Sequence, residues 1–272
     1  MALSTAAASW AGQLAQWAIP DEILAQAPES PWHFSPDLFA AIAREALAAT
    51  DESPSRRRAR EALPDGGSVL DVGTGGGAGC LPLAPPAGLV IGLDPSEEML
   101  AAFASAAAEL GVSHSEVLGQ WPEVEAQAPV ADVVVCHNVL YNVAELPAFV
   151  EALSAHARHR VVVELTTEHP TATMRPMWRA IHGIERPSGP THTDALAVLT
   201  EMGIEAGCET WMRSWSHHHD RTRAVAMARR RLCVGPERDA EIDELLSPDW
   251  DTPTREVAAI WWDPAPRRPP VG

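Results

Sequence analysis

Apolar residues recur through the middle of the chain in short, nearly uninterrupted runs rich in valine, leucine and isoleucine. The runs at 131–136 and 160–165 do not alternate with polar residues, which is typical of parallel strands covered on both faces. Stretches with helical spacing separate the runs, and this alternation predicts a doubly wound, mostly parallel sheet of the α/β class. Strands are predicted at 68–72, 89–93, 115–118, 131–136 and 160–165, and helices near 78–83, 96–110 and 145–158.

The same patterns extend to both ends of the chain. Trp10, Leu14 and Trp17 fall at i, i+4 and i+7, so they share one face of an amphipathic helix. Towards the other end, a helix near 192–202, a strand near 206–215, a helix near 221–233 and a strand near 255–262 are predicted. Before the first strand, the predicted helices cover residues 4–19, 36–49 and 56–63.

These elements predict three regions. Residues 1–60 are expected to form a helical N-terminal cap, residues 61–263 the α/β domain, and the proline-rich residues 264–272 a flexible tail. Within the domain, prolines at 170, 176, 187 and 190 interrupt the alternation. We therefore expect residues 167–190 to be an insertion that acts as a lid.

Composition narrows the function classes. The 272 residues carry a net charge of −17, and every basic residue is an arginine. Duplex nucleic acid requires several basic phosphate contacts, so it is not expected as a partner. The triplet Arg229–Arg231 is interpreted as the solvated face of a helix.

No run reaches the roughly 18 apolar residues that span a bilayer, and the uncharged N-terminal stretch lacks the basic segment that begins a signal peptide. The cytoplasm is the expected location, and the oligomeric state stays open, a homodimer being one option.

A glycine cluster follows the first predicted strand, in the order Asp71-Val-Gly73-Thr74-Gly75-Gly-Gly77-Ala78. A strand that leads into such a loop is typical of nucleotide-like cofactor sites in open α/β sheets. The dinucleotide pattern Gly-x-Gly-x-x-Gly fits poorly, because Ala78 takes its last position. A phosphate-binding P-loop is excluded, because the chain has no lysine.

Together with the segment 89–100 (Leu-Val-Ile-Gly-Leu-Asp-Pro-Ser-Glu-Glu-Met-Leu), this loop resembles the first two motifs of the class I, Rossmann-like S-adenosylmethionine-dependent methyltransferases. The resemblance covers about residues 60–166. It implies a seven-stranded, mostly parallel sheet whose last hairpin is antiparallel, S-adenosylmethionine as the cofactor, and methyl transfer to a small-molecule acceptor. An NAD-dependent oxidoreductase and a non-catalytic cofactor-binding or scaffold domain remain as alternatives.

The resemblance also implies roles for individual residues. Asp94 is expected to accept both ribose hydroxyls, and it can also cap the next helix with Pro95 in the first helical position. Asp71 is expected near the methionine amino group, and His137 is expected to present its backbone to the methionine part. Gln120 and Trp121 are expected beside the adenine. The loop residues Gly73, Thr74, Gly75 and Gly77 complete this predicted cofactor site.

Candidates for the acceptor site follow the fourth and fifth strands. Tyr141, the only tyrosine, is a candidate for positioning the acceptor. His169 and His182 are candidate bases, and Trp178 lies four residues before His182, so one helical face can present both. Arg186 is a candidate anchor for an acidic group. Trp32, with the neighbouring His33 and Phe34, is expected to be part of the cap over the cleft.

No metal site is predicted. The three histidines at 217–219 are adjacent, and neighbouring residues on a strand point to opposite faces. They are interpreted as a turn or a solvated strand end.

Overall fold

The computed structural model describes residues 4–32, 36–214, 220–246 and 254–265. Seven strands form one sheet in the order β3-β2-β1-β4-β5-β7-β6. All neighbouring pairs are parallel except those that involve β7, which is antiparallel to β5 and to β6. This is the seven-stranded, mostly parallel sheet that was predicted. The strands are β1 (Ser68–Val72), β2 (Leu89–Asp94), β3 (Ser113–Leu118), β4 (Ala131–His137), β5 (Ala157–Thr166), β6 (Gly207–Ser214) and β7 (Thr254–Trp262).

Ten α-helices lie in the described parts of the chain. They are α1 (Thr5–Ala15), α2 (Asp21–Leu24), α3 (Pro36–Ala48), α4 (Pro54–Ala62), α5 (Glu97–Leu110), α6 (Leu146–His156), α7 (Arg175–His182), α8 (His192–Glu201), α9 (Arg221–Arg231) and α10 (Asp239–Leu245).

The central strands are buried on both faces, as their continuous apolar runs predict. On one face, Leu70, Ile91 and Val134 belong to an apolar core that also takes in residues of α1, α6 and α8. On the other face, Val69 and Val90 pack with residues of α4 and α5. Alternate residues of each strand therefore serve opposite cores, as the pleat of a strand requires.

The prediction of a helix near 78–83 is wrong. Residues 75–80 form turns, and only Leu81–Leu83 form a short 3-10 helix. Pro82 lies in that turn, and Pro85 and Pro86 follow it. Because proline lacks a backbone N–H and clashes with the preceding turn, an α-helix cannot continue through these positions.

The N-terminal segment is tied to the predicted lid. The indole Nε1 of Trp17 donates to the Gly189 carbonyl at 2.7 Å, and Nη1 of Arg186 donates to the carbonyls of Gln16 and Ala18 at 3.2 and 2.9 Å. These hydrogen bonds join residues 16–18 to residues 186–189. The N-terminal segment and the predicted lid are therefore in direct contact, and together we call them the cap.

A third segment joins the cap. A separate apolar cluster brings together Ile19, Trp178 of α7, Leu232 beyond α9 and Ile242 of α10. The cap therefore combines residues 16–27, the lid, and α9 and α10 between β6 and β7. In contrast to the predicted boundary at residue 60, α4 contacts the sheet at β4, β5 and β7, so it belongs to the α/β layer.

Most of the predicted tail lies outside the described residues, which end at 265. None of the helices in the described ranges is long and apolar enough to cross a membrane.

Candidate active site

A large cavity opens where the strand order reverses, at the carboxyl ends of β1 and β4. Its volume is about 1680 Å³. Open α/β sheets bind their ligands at this point, because the helices after the two strands leave on opposite faces and expose a crevice. Loops after β1, β2, β4 and β5 form its floor, and the cap forms the rest of its wall.

The glycine loop lines the floor in a conformation that only glycine adopts freely. Gly73 and Gly75 have φ angles of +75° and +50°. A Cβ at Gly73 would lie 2.4 Å from Cγ2 of Val139. The N–H groups of Gly73 and Thr74 both donate to the Leu93 carbonyl, at 2.8 and 3.0 Å. The loop is therefore held against the end of β2.

Asp94 ends β2 and faces the cavity from beside this loop. Its Oδ2 accepts from the Gly75 N–H at 3.0 Å, and its Oδ1 accepts from the Ser96 N–H at 3.0 Å. Burial raises the pKa of Asp94 above its ordinary value. Each carboxylate oxygen can accept a second bond, so both keep capacity for a ligand.

The expected capping role of Asp94 is wrong. The N-cap of α5 is Ser96, whose side chain accepts from the Met99 N–H. Pro95 therefore precedes the cap instead of occupying the first helical position, and it lines the cavity with Asp94.

Asp71 is buried behind the cavity wall. Thr74 Oγ1 donates to its Oδ2 at 3.1 Å, whereas Oδ1 has no hydrogen-bond partner among the described residues. Burial raises the pKa of Asp71. A Cβ at Gly79, which does line the cavity, would lie 3.0 Å from Asp71 Oδ2. The Asp71 carboxylate therefore lies directly behind Gly79.

Gln120 and Trp121 line a further part of the floor, after β3. Trp121 is buried, its Nε1 donates to the Phe149 carbonyl at 3.4 Å, and its ring meets the His156 ring edge-on at 4.9 Å. These contacts fix the indole in the wall.

Glu164 and His137 lie side by side in register at the ends of β5 and β4. Arg213 Nη1 donates to Glu164 Oε1 at 2.7 Å, and the Ser55 hydroxyl donates to Oε2. Burial favours a higher pKa for Glu164, but His137, Arg213 and the Ser55 hydrogen bond outweigh it and lower the pKa. His137 Nε2 is buried with no hydrogen-bond partner in the described chain.

Tyr141 and His169 stand between the sheet and the cap. The Tyr141 hydroxyl donates to the Thr166 carbonyl at 2.8 Å, and burial raises the pKa of this phenol. The His169 ring stacks on Trp17 with centroids 3.9 Å apart, and it meets the Tyr141 ring at 5.3 Å. Both side chains line the cavity.

The surroundings of His169 set its protonation. Burial, followed by the positive charges of Arg186, Arg175 and Arg231, lowers the pKa of His169 to about 4. Its Nδ1 lies 3.3 Å from the Thr171 N–H, which donates to it. The imidazole is therefore neutral at pH 7, with its proton on Nε2.

The cap brings the three predicted acceptor residues to the cavity wall. Trp178 is buried, and the guanidinium of Arg186 lies 3.9 Å over its ring. Trp32 is 55% exposed at the mouth, with Arg231 5.7 Å over its ring. His33 and Phe34, expected beside Trp32, lie outside the described residues.

Besides Asp71, two predicted residues do not line the cavity. His182 packs on Trp178, and its Nε2 lies 2.7 Å from the Leu232 carbonyl. This placement does not fit the role of a base that meets an acceptor. A Cβ at Gly77 would lie 2.6 Å from Leu81 Cδ1 and 3.0 Å from Phe103 Cδ2, so Gly77 faces the core and shapes the loop from behind.

Several cavity residues were missed by sequence reasoning. Trp17, Arg213 and Arg255 all contribute to the wall, yet each lies in an ordinary helix or strand pattern without a motif. The interpretation of Arg229–Arg231 as a solvated face is wrong. All three are half-buried, and Arg231 lines the cavity.

The described ranges contain no cluster of three or more histidine, cysteine, aspartate or glutamate side chains that could hold a metal ion. The histidines at 217–219 lie outside those ranges.

Comparison with known proteins agrees with this architecture. Residues 69–160 match the family model described as a methyltransferase domain. The fold is similar to that of the YcgJ protein from Bacillus subtilis, at 16% identity and a TM-score of 0.54, covering 83% of this chain and 100% of that one. A candidate methyltransferase from Bacillus halodurans C-125 gives 16% identity and a TM-score of 0.54, with 80% and 100% of the two chains covered.

A third solved structure, a candidate sarcosine dimethylglycine methyltransferase from Galdieria sulphuraria, is 14% identical, with a TM-score of 0.51 and coverage of 76% and 82%. At these identities the likeness concerns the fold. No curated protein matches the chain.

Proposed function

We propose that the chain, whose residues 69–160 match a methyltransferase domain, uses S-adenosylmethionine to methylate a small molecule bound under its cap. The observation that carries this proposal is the pairing of Asp94 with the Gly75 N–H at the floor of a capped cavity. This hydrogen bond places a carboxylate beside a glycine, where a ligand can approach the backbone closely. The negative charge of the carboxylate suits the hydroxyl groups of a ribose better than a phosphate.

The residues on the floor fit the cofactor. Asp94 would hold the ribose hydroxyls with the remaining lone pairs of its two oxygens. The unpartnered Oδ1 of Asp71 supplies negative charge behind Gly79, which favours an ammonium group and disfavours a pyrophosphate. The backbone at His137 would meet the methionine part, and Gln120 and Trp121 the adenine.

When bound, the cofactor supplies an electrophilic methyl group on a sulfonium. The task of the chain is then to align a nucleophile, exclude water and manage any proton. The volume of about 1680 Å³ exceeds the roughly 300–1,000 Å³ of a usual ligand pocket, so it leaves room for an acceptor beside a cofactor.

The acceptor side offers hydrogen-bond donors rather than bases. His169 is neutral and carries its proton on Nε2, so it would donate to the acceptor and orient it. The Tyr141 proton is engaged with the Thr166 carbonyl, so this phenol would act through its ring and its packing on His169. Glu164 is charged but paired with Arg213. We therefore propose that His169 orients the acceptor and that neither His169 nor His182 acts as a base.

Isothermal titration of the full chain with S-adenosylmethionine, S-adenosylhomocysteine and NAD tests the cofactor. We expect micromolar binding of the first two and none of NAD. Tighter binding of NAD would make the chain an oxidoreductase instead.

Turnover tests the catalytic part of the proposal. The protein is incubated with S-adenosylmethionine and a panel of small acceptors, and S-adenosylhomocysteine is measured. We expect acceptor-dependent release for at least one chemical class. Cofactor binding without release for any class would favour a scaffold domain.

A further inference from the structure

We infer that the acceptor carries a carboxylate, and that Arg186 binds it at the cap side of the cavity. This inference rests on the proposed function, because it names the class of molecule that the same cavity takes.

The charges that line the cavity are unevenly distributed along the chain, although Arg56 lies among the acidic residues of the earlier part. In the described part of the wall, the last acidic residue along the sequence is Glu164. Beyond it, the wall contains four arginines and no acidic residue, namely Arg186, Arg213, Arg231 and Arg255. This uneven distribution occurs in a chain with a net charge of −17. Because Arg213 is paired with Glu164, the positive surface of this wall rests on arginines such as Arg186 and Arg255, whose described hydrogen bonds go to neutral groups.

Arg186 is the most buried of these arginines, with 7% of its surface exposed. Both hydrogen bonds that it donates within the described structure come from Nη1 and end on backbone carbonyls. No described carboxylate forms an ion pair with it, and its Nε is buried without a hydrogen-bond partner. A charge taken out of water is costly unless a counter-charge compensates it.

The free edge of Arg186 fits a carboxylate. Nη1 is held by the Gln16 and Ala18 carbonyls, which leaves the Nη2 and Nε edge without a described partner, and Nε is itself buried. Such a fork of N–H donors binds the two oxygens of one carboxylate in a bidentate manner. The indole of Trp178 stacks under the guanidinium at 3.9 Å, which holds the fork in place without neutralising it.

Arg255 adds to the positive surface from β7. Its two described hydrogen bonds go to the Pro170 carbonyl and to Thr173 Oγ1, so they are also to neutral groups. Burial lowers the pKa of Arg255. Two arginines with neutral partners thus face one cavity, where an anionic ligand would supply the missing charge.

The aromatic wall indicates the rest of the ligand. Trp17, Trp32 and Trp178 all line the cap side, and planar rings pack well on indoles. We therefore choose 1-naphthylacetate and its neutral amide, 1-naphthylacetamide, as matched probes. They differ in charge but hardly in size.

The test is titration of the wild-type chain, saturated with S-adenosylhomocysteine, with each probe at low salt. We expect the acid to bind at least tenfold more tightly than the amide. Equal affinity for acid and amide would overturn the inference. If S-adenosylhomocysteine itself fails to bind, the proposed function fails, whereas the same titration without it still measures the preference for the acid.

Variants assign the preference to Arg186. Arg186→Gln should bring the acid-to-amide ratio close to one, and Arg186→Lys should restore part of it. Arg179→Gln is the matched control, because Arg179 belongs to the same lid, is 72% exposed and pairs with Glu185. It should keep the wild-type ratio. A full ratio in Arg186→Gln would refute the assignment, and a variant that does not fold leaves the wild-type comparison as the deciding result.

Discussion

Replacement of Asp94 by alanine tests the cofactor site most directly. In the free protein, the side chain accepts two backbone hydrogen bonds of 3.0 Å, from Gly75 and Ser96. With the cofactor bound, it would also accept the two ribose hydroxyls. Asp94→Ala therefore removes the acceptor for two donors of the protein and two of the ligand.

The two losses differ in size. In the free Asp94→Ala protein, the Gly75 and Ser96 N–H groups lie at the cavity wall, where we expect water to replace the carboxylate. The substitution also removes a carboxylate whose burial raises its pKa. The change in the free energy of unfolding should thus be small. In the complex, the ribose hydroxyls are shielded from water, so loss of their charged partner costs about 1–3 kcal/mol. This corresponds to an affinity that is lower by about 5- to 140-fold.

The assay is isothermal titration with S-adenosylhomocysteine, with urea unfolding of the free protein measured in parallel. Glu97→Ala is the control, because it removes the same charge from the exposed first turn of α5 and should leave the affinity unchanged. A folded Asp94→Ala protein that binds within twofold of wild type would refute the assignment of the ribose to Asp94.

Three further predictions concern the loop and the strand ends. Gly73→Ala adds a Cβ 2.4 Å from Val139 at a φ of +75°, so urea unfolding should reveal a loss of about 1–3 kcal/mol. Gly111→Ala, at a φ of +67° in open space, should lose less; an equal loss would contradict the role of the clash. Tyr141→Phe leaves the Thr166 carbonyl unpaired, so thermal unfolding should report about 1–2 kcal/mol of destabilisation, with S-adenosylhomocysteine affinity unchanged. Glu164→Gln should destabilise the protein at pH 7. The folded-state pKa of Glu164 is lowered. The charged carboxylate therefore stabilises the folded protein above the unfolded-state pKa, and this stabilisation is lost as the pH falls through the folded-state pKa. Urea midpoints of the two proteins should therefore converge towards pH 3, and a constant gap would contradict this reasoning.

The sheet was predictable because its strands are local patterns. β1 has the predicted bounds, and β2, β4 and β5 extend the predicted runs by one to four residues. Parallel strands buried on both faces leave a continuous apolar signal that a short window detects. The exposed edge strand β3 begins two residues before its prediction, since its first residues, such as Ser113 and His114, carry no such signal.

The cofactor half of the cavity was predictable for a related reason. Its residues follow strands whose order in the sheet is known once the fold is known, so Gly73, Gly75 and Asp94 must meet at one edge. The error at 78–83 arose because the loop was expected to lead into a helix, although three prolines lie at 82, 85 and 86. Because proline conflicts with helix geometry, the sequence itself favours a turn here.

The acceptor half could not be predicted in the same way, because it depends on contacts between distant segments. Ile19, Trp178 and Leu232 pack together in the cap, and nothing in the three local patterns specifies that they meet. Arg231 illustrates the consequence: its triplet has the composition of a solvated helix face, yet the cap turns this residue towards the cavity.

His169 shows how such contacts decide the chemistry as well as the geometry. An isolated histidine has a pKa near 6.5 and is a reasonable base at neutral pH. Here, burial against Trp17 and three arginines from the lid and α9 lower the pKa to about 4, and the Thr171 N–H selects the tautomer. The same positive charges that deprive His169 of basicity attract an anion. A site that weakens its own base while gathering cations suits an anionic acceptor, and a carboxylate is anionic at pH 7.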